Sequence, residues 1–196
     1  MSSDLKVTNI KHESSSSNNL VLASDGSATI NQISSSSVFP AGGTGNPISV
    51  AVIADEKAFN VDGGSSVLGW QDKELNTEIS DPDGIVSIAS DQFTLGAGTY
   101  LITWSVPGYK TQRQFSLLYD VTAGVDLEVS QVAYSLSNNS VQTSSSGSYI
   151  HTITSSNTYK IRHYINVVST TFGKGVAHDV SGYNNIYTLV KIYKLK

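Results

Sequence analysis

The sequence has no cysteine. Disulfides and thiolate metal sites are therefore excluded, and packing or assembly must supply the stability that a cross-link would. Basic charge is also short, since 12 Lys and Arg against 16 Asp and Glu leave a formal net charge of -4. That balance offers no basic stripe for sequence-independent attachment to nucleic acid or to an anionic membrane. The opening residues Met1-Ser2-Ser3-Asp4-Leu5-Lys6 lack the apolar run of a signal peptide, no stretch is long enough to cross a bilayer as a helix, and nothing directs export. Catalytic signatures are missing too: there is no Gly-x-Ser-x-Gly elbow and no His-Glu-x-x-His pair. A hydrolase is expected to show clustered acids or a nucleophile motif, so the chain reads as a non-enzyme that needs no cofactor.

What is abundant is Ser, Thr, Val, Ile, Tyr and Gly, while Met, Lys and Glu are sparse. These are strand and turn residues, and the 196 residues are enough for one domain of moderate size with an appendage. The stretch Phe93-Thr94-Leu95-Gly96-Ala97-Gly98-Thr99-Tyr100-Leu101-Ile102-Thr103-Trp104-Ser105-Val106-Pro107 organises the rest. Its glycine pair makes a tight turn, and Tyr100, Ile102, Trp104 and Val106 then fall on one face with Thr103 and Ser105 on the other, which predicts a strand with one buried face. Each of Tyr100, Ile102 and Trp104 contributes about 1.5–3 kcal/mol if fully buried. Pro107, having no amide donor, is expected to end the ladder. Gly-x-Gly also opens phosphate cradles, but Leu101 replaces the third glycine and a strand follows in place of a helix.

Residues 1–47 are unlike the remainder. Leu20-Val21-Leu22 and Ala28-Thr29-Ile30 flank Ser24-Asp25-Gly26-Ser27, a hairpin signal, and serine tracts at 14–17 and 34–37 bury nothing. Pro40 to Pro47 is a linker by composition. A segment this poor in apolar residues cannot fold alone; it is either an arm that orders on another surface, reaching about 150 Å if extended, or a disordered tail. From Ile48 the chain becomes strand-like runs between turn residues. Val50, Val52 and Ala54 oppose Ala51 and Ile53, and Asp81-Pro82-Asp83-Gly84 is a turn. Leu127 to Leu136 is one run with a change of phase that reads as a bulge. Tyr159, Ile161, His163, Ile165 and Val167 face one way, with a polar outer face of Lys160, Arg162, Tyr164 and Asn166.

The closing strand differs from these. In residues 186–195 the set Ile186, Val190, Ile192 and the set Tyr187, Leu189, Tyr193, Leu195 are both largely apolar. Such a strand at a sheet edge would be an aggregation hazard. A central strand is expected, with one face on the core and the other in a subunit interface; two-sided burial within a monomer is the alternative.

Phe93-Thr94-Leu95 with Ala97-Gly98-Thr99-Tyr100-Leu101-Ile102, the upstream Gly69-Trp70 and Leu75-Asn76-Thr77, and Gly182-Tyr183-Asn184-Asn185-Ile186-Tyr187 entering the closing strand together resemble the tumour-necrosis-factor/C1q-like jelly roll. More narrowly, residues 48–196 are similar to the version carried by tailed-phage virion proteins. Val7-Thr8-Asn9-Ile10-Lys11-His12, Asn19-Leu20-Val21-Leu22 and Asp25-Gly26 resemble the attachment arms that precede such knobs. The resemblance implies an all-β fold, an antiparallel ten-stranded jelly-roll sandwich (48–196) behind an extended N-terminal arm with a short β-hairpin (1–47). It implies three copies about an axis, with the first and last strands in the sheet that makes the trimer. The interface residues would be Ile186, Tyr187, Leu189, Val190, Ile192, Tyr193 and Leu195, and the arm would attach to other virion proteins through Val7, Ile10, Leu20, Leu22 and Ile30. The implied role is a short fibre of a tailed phage, assembled in the host cytoplasm and touching the host surface. A capsid decoration or cement protein, and a soluble carbohydrate-binding module, are the alternatives. Ahead of the knob there is neither a Gly-X-Y stalk nor a heptad coiled coil.

The remaining candidate sites are slight. His163 sits on an inward phase, His12 lies in the arm, and His151 and His178 are near loops. His178-Asp179 is read as a surface pair before a metal edge, and Asp81 with Asp83 as turn residues before calcium ligands. No metal is expected. Asn138 heads an Asn-x-Ser sequon that is uninformative without a secretory context. If a glycan or receptor is bound, the long polar loops 137–147 and 169–185 are favoured, through Asn138, Asn139, Tyr149, Tyr183 and Asn184, because rings stack on sugars and amides bond their hydroxyls.

Overall fold

A computed structural model describes residues 9–10, 20–22, 28–30 and 48–195. The chain divides into two units, Met1–Pro47 and Ile48–Lys196. In the first, β1 (Asn9–Ile10), β2 (Leu20–Leu22) and β3 (Ala28–Ile30) form an antiparallel sheet. The hairpin anticipated around Asp25-Gly26 pairs Leu20 with Ile30 and Leu22 with Ala28. Val7 and His12 lie outside the described residues.

The second unit is an antiparallel sandwich. Its strands are β4 (Ser49–Lys57), β5 (Gly69–Asp72), β6 (Thr77–Ser80), β7 (Val86–Ala89), β8 (Gln92–Leu95), β9 (Gly98–Tyr109), β10 (Gln112–Asp120), β11 (Val125–Val129), β12 (Ala133–Ser135), β13 (Gln142–Ile153), β14 (Asn157–Ile165) and β15 (Asn185–Lys194). One sheet runs β13-β9-β15-β4-β6; the other runs β11-β10-β14-β8-β7, with β12 added to β10 and β5 to β14. The two added strands account for twelve where ten were expected. Strand β14 has nine residues; β8 serves only Asn157–Tyr159, so β5 takes the other end at Arg162–Ile165. Strand β10 is shared in the same way by β11 and β12, and the predicted bulge in 127–136 is a break between those two strands.

The turn at Gly96 carries the chain from β8 in one sheet to β9 in the other. Tyr100, Ile102, Trp104 and Val106 all point into the core, as their alternation predicts, together with Ala51, Ile53, Val190 and Ile192 from the same sheet. Phe93, Leu95, Leu118, Tyr159 and Ile161 face them from the second sheet. Pro107 does not end β9, which pairs with β13 as far as Tyr109. The other neighbour, β15, has already left at Ser105, so no ladder on that side needs a donor from residue 107. Strand β4 opposes β15 along most of its length, placing the first and last strands of the sandwich side by side in the middle of one sheet.

Two features of the interior constrain the sequence. Trp104 packs across the sheet on Gly147, where a Cβ would run into the indole. The indole Nε1 donates to Ser116 Oγ at 3.0 Å, which in turn meets Ser145 Oγ at 2.9 Å. At one end of the sandwich the interior turns polar: Asp55, Lys73, His163 and Thr188 are all 0% exposed. His163 Nε2 bonds Gln114 Oε1 at 2.7 Å, and burial, with the nearby Lys73 charge, holds the ring down at about 3, so it stays neutral. Burial raises the Asp55 carboxyl despite Lys57 at 3.2 Å. Lys57 and Lys174 both grip Glu74, at 2.6 and 2.8 Å, and hold its carboxyl below the usual range although partial burial works the other way. Lys73 Nζ has no hydrogen-bond partner among the described residues. Burial, and then the charge of Lys174, push its ammonium down to about 7.

Gly147→Ala should therefore lower stability by about 1–3 kcal/mol, read as a shift in the denaturation midpoint, because the indole has nowhere to retreat. A midpoint within error of wild type would mean that Trp104 is not seated there. Lys73 gives a second expectation. Unfolded, it titrates near 10.5. Between that pH and about 7 the unfolded chain holds a proton that the folded chain lacks, so stability rises with pH across the window, and the penalty is complete below it. Lys73→Met should stabilise the fold by about 1–4 kcal/mol at pH 6 and by less at pH 9. An equal gain at both pH values would show that the ammonium is solvated.

Candidate functional site

The outward face of the β13-β9-β15-β4 sheet follows from the same alternation that fills the core. Where Ile102 and Ile192 point in, Leu101 and Tyr193 point out. The ladder aligns Ile150 with Leu101, Leu101 with Tyr193 and Tyr193 with Val50, so one apolar row crosses four strands. Ile150 is 63% exposed in this chain. The next row is polar, with Ser148, Thr103 and Lys191 aligned, and the third holds Ser146, Ser105 and Leu189. A cavity of about 510 Å³ opens between these two rows, closed at its rim by Val129 and Gln131 as the link from β11 to β12 passes over. Gln131 is fixed there by its amide, which donates to the Ser146 carbonyl at 3.0 Å.

The seven residues expected at an interface separate into three groups. Leu189, Tyr193 and Leu195 lie on the outward side of β15, and Ile186 is exposed at its start. Val190 and Ile192 are in the core of the single chain, which removes them from any surface. Tyr187 is also buried by its own chain: the register shifts between Ile186 and Leu189, the ring lies on Gly175, and the hydroxyl donates to the Val61 carbonyl at 2.7 Å. Burial, and then Asp62, push that phenol up to about 12. The sequence showed two apolar faces but hid this bulge, which turns Tyr187 inward beside Thr188 and leaves Ile186 exposed.

The loop residues also separate. Asn138 and Asn139 sit exposed in a turn, and Tyr183 projects from a second loop. Asn184 is tied down, its amide donating to Glu56 Oε1 at 2.8 Å. Tyr149 is not in a loop. Residues 142–153 form β13, so the serine and glycine run 144–147 is strand, and Tyr149 packs inward beside His151. Serines served as strand residues here because alternate ones face out of the sheet. Asp81 uses its carboxylate to accept from the amides of Ile85 and Val86, at 2.9 and 2.8 Å, as a turn residue does. His178 likewise closes its own loop, accepting from the Val180 amide at 3.3 Å.

A surface that the sequence did not reveal lies on the opposite sheet. Trp70 stands on Tyr164 and Phe115, with ring centroids 5.4 and 5.2 Å away, and the Arg162 guanidinium sits 5.1 Å from the Trp70 ring. Lys160 reaches Asp72 at 2.7 Å. The polar outer face of β14 was legible, whereas its aromatic content depends on β5 and β10, whose register no local pattern encodes. The rings and the guanidinium stack on one another as a packed outer skin. Among the described residues no three His, Cys, Asp or Glu side chains are grouped to hold a metal.

No protein-family model and no curated protein matches this sequence. Solved structures do. Murine APRIL matches with a TM-score of 0.51 at 11% identity, covering 76% of this chain and 100% of its own. The globular domain of zebrafish complement 1qA (TM-score 0.44, 14% identity, 76% and 98% covered) and Eiger TNF from S. frugiperda (0.49, 10%, 77% and 94%) are also similar. At these identities the likeness is one of fold, and that fold is the tumour-necrosis-factor-like jelly roll seen in murine APRIL.

Proposed function

We propose that this chain is a non-enzymatic structural protein of a tailed-phage particle, a homotrimeric jelly-roll knob fastened through residues 1–47 and acting as a short fibre toward the host surface. The observation that carries the reading is the row Ile150, Leu101, Tyr193 and Val50 on an otherwise complete sandwich. A monomer would leave this row in water, whereas a second copy would bury it. A different apolar surface is available to meet it: Val125, Val129, Val132, Tyr134 and Leu136 are all exposed along β11, β12 and their flanks. Two unlike patches make a heterologous contact, which closes into a ring when the rotation allows. The number three, the particle and the arm's attachment rest on the resemblance of the sequence to such knobs. The exposed Tyr183 and Asn138 loops are then the parts free to meet a host glycan.

Tyr193→Asp should dissociate the assembly while leaving the β-sheet circular-dichroism spectrum intact, because the covered row would lose its one aromatic side chain and have to desolvate a carboxylate in its place. Sedimentation velocity should show at least about a hundredfold weaker association. A variant that still sediments as wild type would remove this face from the interface. Deleting residues 2–40 should leave the sandwich folded with an unchanged melting midpoint but absent from purified particles. Normal incorporation of the truncated chain would end the role assigned to the arm.

A further inference from the structure

The cavity beside the apolar row has a chemistry that the assembly alone does not explain. Lys191 occupies the middle of the central strand and the middle of the outward face, aligned with Thr103 on one neighbour and Val52 on the other. It makes no ion pair among the described residues. Around it the cavity is lined by Thr103, Ser105, Ser146 and Ser148, which carry hydroxyls, and by Gln131, and no carboxylate lines it. Ser146 donates to Ser105 Oγ at 3.4 Å, which leaves the Ser105 proton free to point elsewhere. One ammonium with several hydroxyl donors and no acid repels a metal cation and attracts an anion. Covering this face with a second copy, as the proposed trimer does, would strip water from an ammonium that its own chain leaves uncompensated.

We infer that the Lys191 cavity binds a small tetrahedral oxyanion of the sulfate or phosphate class, held at the subunit interface with Lys191 as its charge partner and Thr103, Ser105 and Ser148 as hydroxyl donors. This rests on the reading of the outward sheet face as the assembly surface. The anion replaces the water that Lys191 loses on assembly, so association and anion binding are linked. Its volume is well below that of the cavity, and the covering copy takes up the rest. The oxyanion comes either from solution or from a sulfated or phosphorylated group on a larger partner. Free salt supplies the first source, and a sulfated oligosaccharide added at equal sulfate concentration tests the second.

The experiment is sedimentation velocity of the full chain in sodium sulfate and in sodium chloride at matched ionic strength, for wild type, Lys191→Met and Thr103→Val. Wild type should associate about tenfold more tightly in sulfate, a factor expected when the anion is well above its dissociation constant. Lys191→Met should associate tightly in both salts, and Thr103→Val should show a reduced sulfate gain. The oligosaccharide should match the free salt if the anion comes from solution and exceed it if it is carried by a glycan. An equal sulfate gain in wild type and Lys191→Met would be general salt exclusion and an adventitious ion only, which overturns the site. Wild type indifferent to sulfate, with a weakened Lys191→Met, would overturn it in favour of a carboxylate of the neighbouring copy while the assembly stands. A wild-type chain that is monomeric in every salt would overturn the assembly and the anion site together.

Discussion

The structure depends on β15 being hydrogen-bonded on both sides. Strand β9 takes one edge and β4 the other, so the closing strand joins the first strand of the sandwich to the antiparallel pair of β9 and β13. A strand in that position has both ladders satisfied and two faces left to dispose of. Its inward face is settled by Val190 and Ile192 in the core. Its outward face carries Leu189, Lys191 and Tyr193, and the one charge among them is what makes the face more than a second core surface. The proposed contact face follows from how those three outward positions line up with their neighbours.

The interior shows the complementary pattern. Strand β10 turns Gln114, Ser116 and Asp120 inward and keeps Phe115 and Tyr119 on its outer side, the reverse of a simple apolar-in alternation. The inward polar groups are tolerated because each has a partner. Ser116 takes the Trp104 indole and Ser145, Gln114 takes His163 and Thr143, and the Asp120 carboxylate takes the Ala123 amide and Asn157. Outside, Phe115 stacks on Tyr164, and the Lys160 ammonium and Arg162 guanidinium lie over the Tyr119 ring. Register between β10, β14 and β5 is thereby fixed from both faces at once.

How far the sequence revealed this varied with the range of the interaction. Local alternation was enough for β9, β14 and the direction of Tyr100, Ile102 and Trp104; the strands expected around a hairpin signal, β2 and β3, do pair antiparallel, and Asp81-Gly84 is a turn. The place of β15 in mid-sheet was readable because a two-faced apolar strand has few other places to go. Three things were not readable. The bulge at Ile186 and Leu189 turns on backbone register and altered which residues face out. The serine-rich β13 resembles a loop by composition and is a strand only because β9 templates it along twelve residues. The buried Lys73 stands between Asp72 and Glu74 in a run that reads as a charged surface turn, and its burial arises from β14 accepting its amide.

Placing one lysine beside an apolar row, on the face that the proposed assembly covers, also has a consequence for specificity. A uniformly apolar sheet face would accept a partner in several registers, since the hydrophobic effect is not directional. An ammonium that must be compensated accepts only those registers that bring an acid or an anion to it, and every other register leaves a desolvated charge. In the proposed assembly the row of Ile150, Leu101, Tyr193 and Val50 would supply the drive to associate, and Lys191 one row away would select the alignment. The hydroxyls of Thr103 and Ser148 suit that role because they add donors without charge. They hold the compensating group beside Lys191, and the selection therefore works through the geometry of a single cavity.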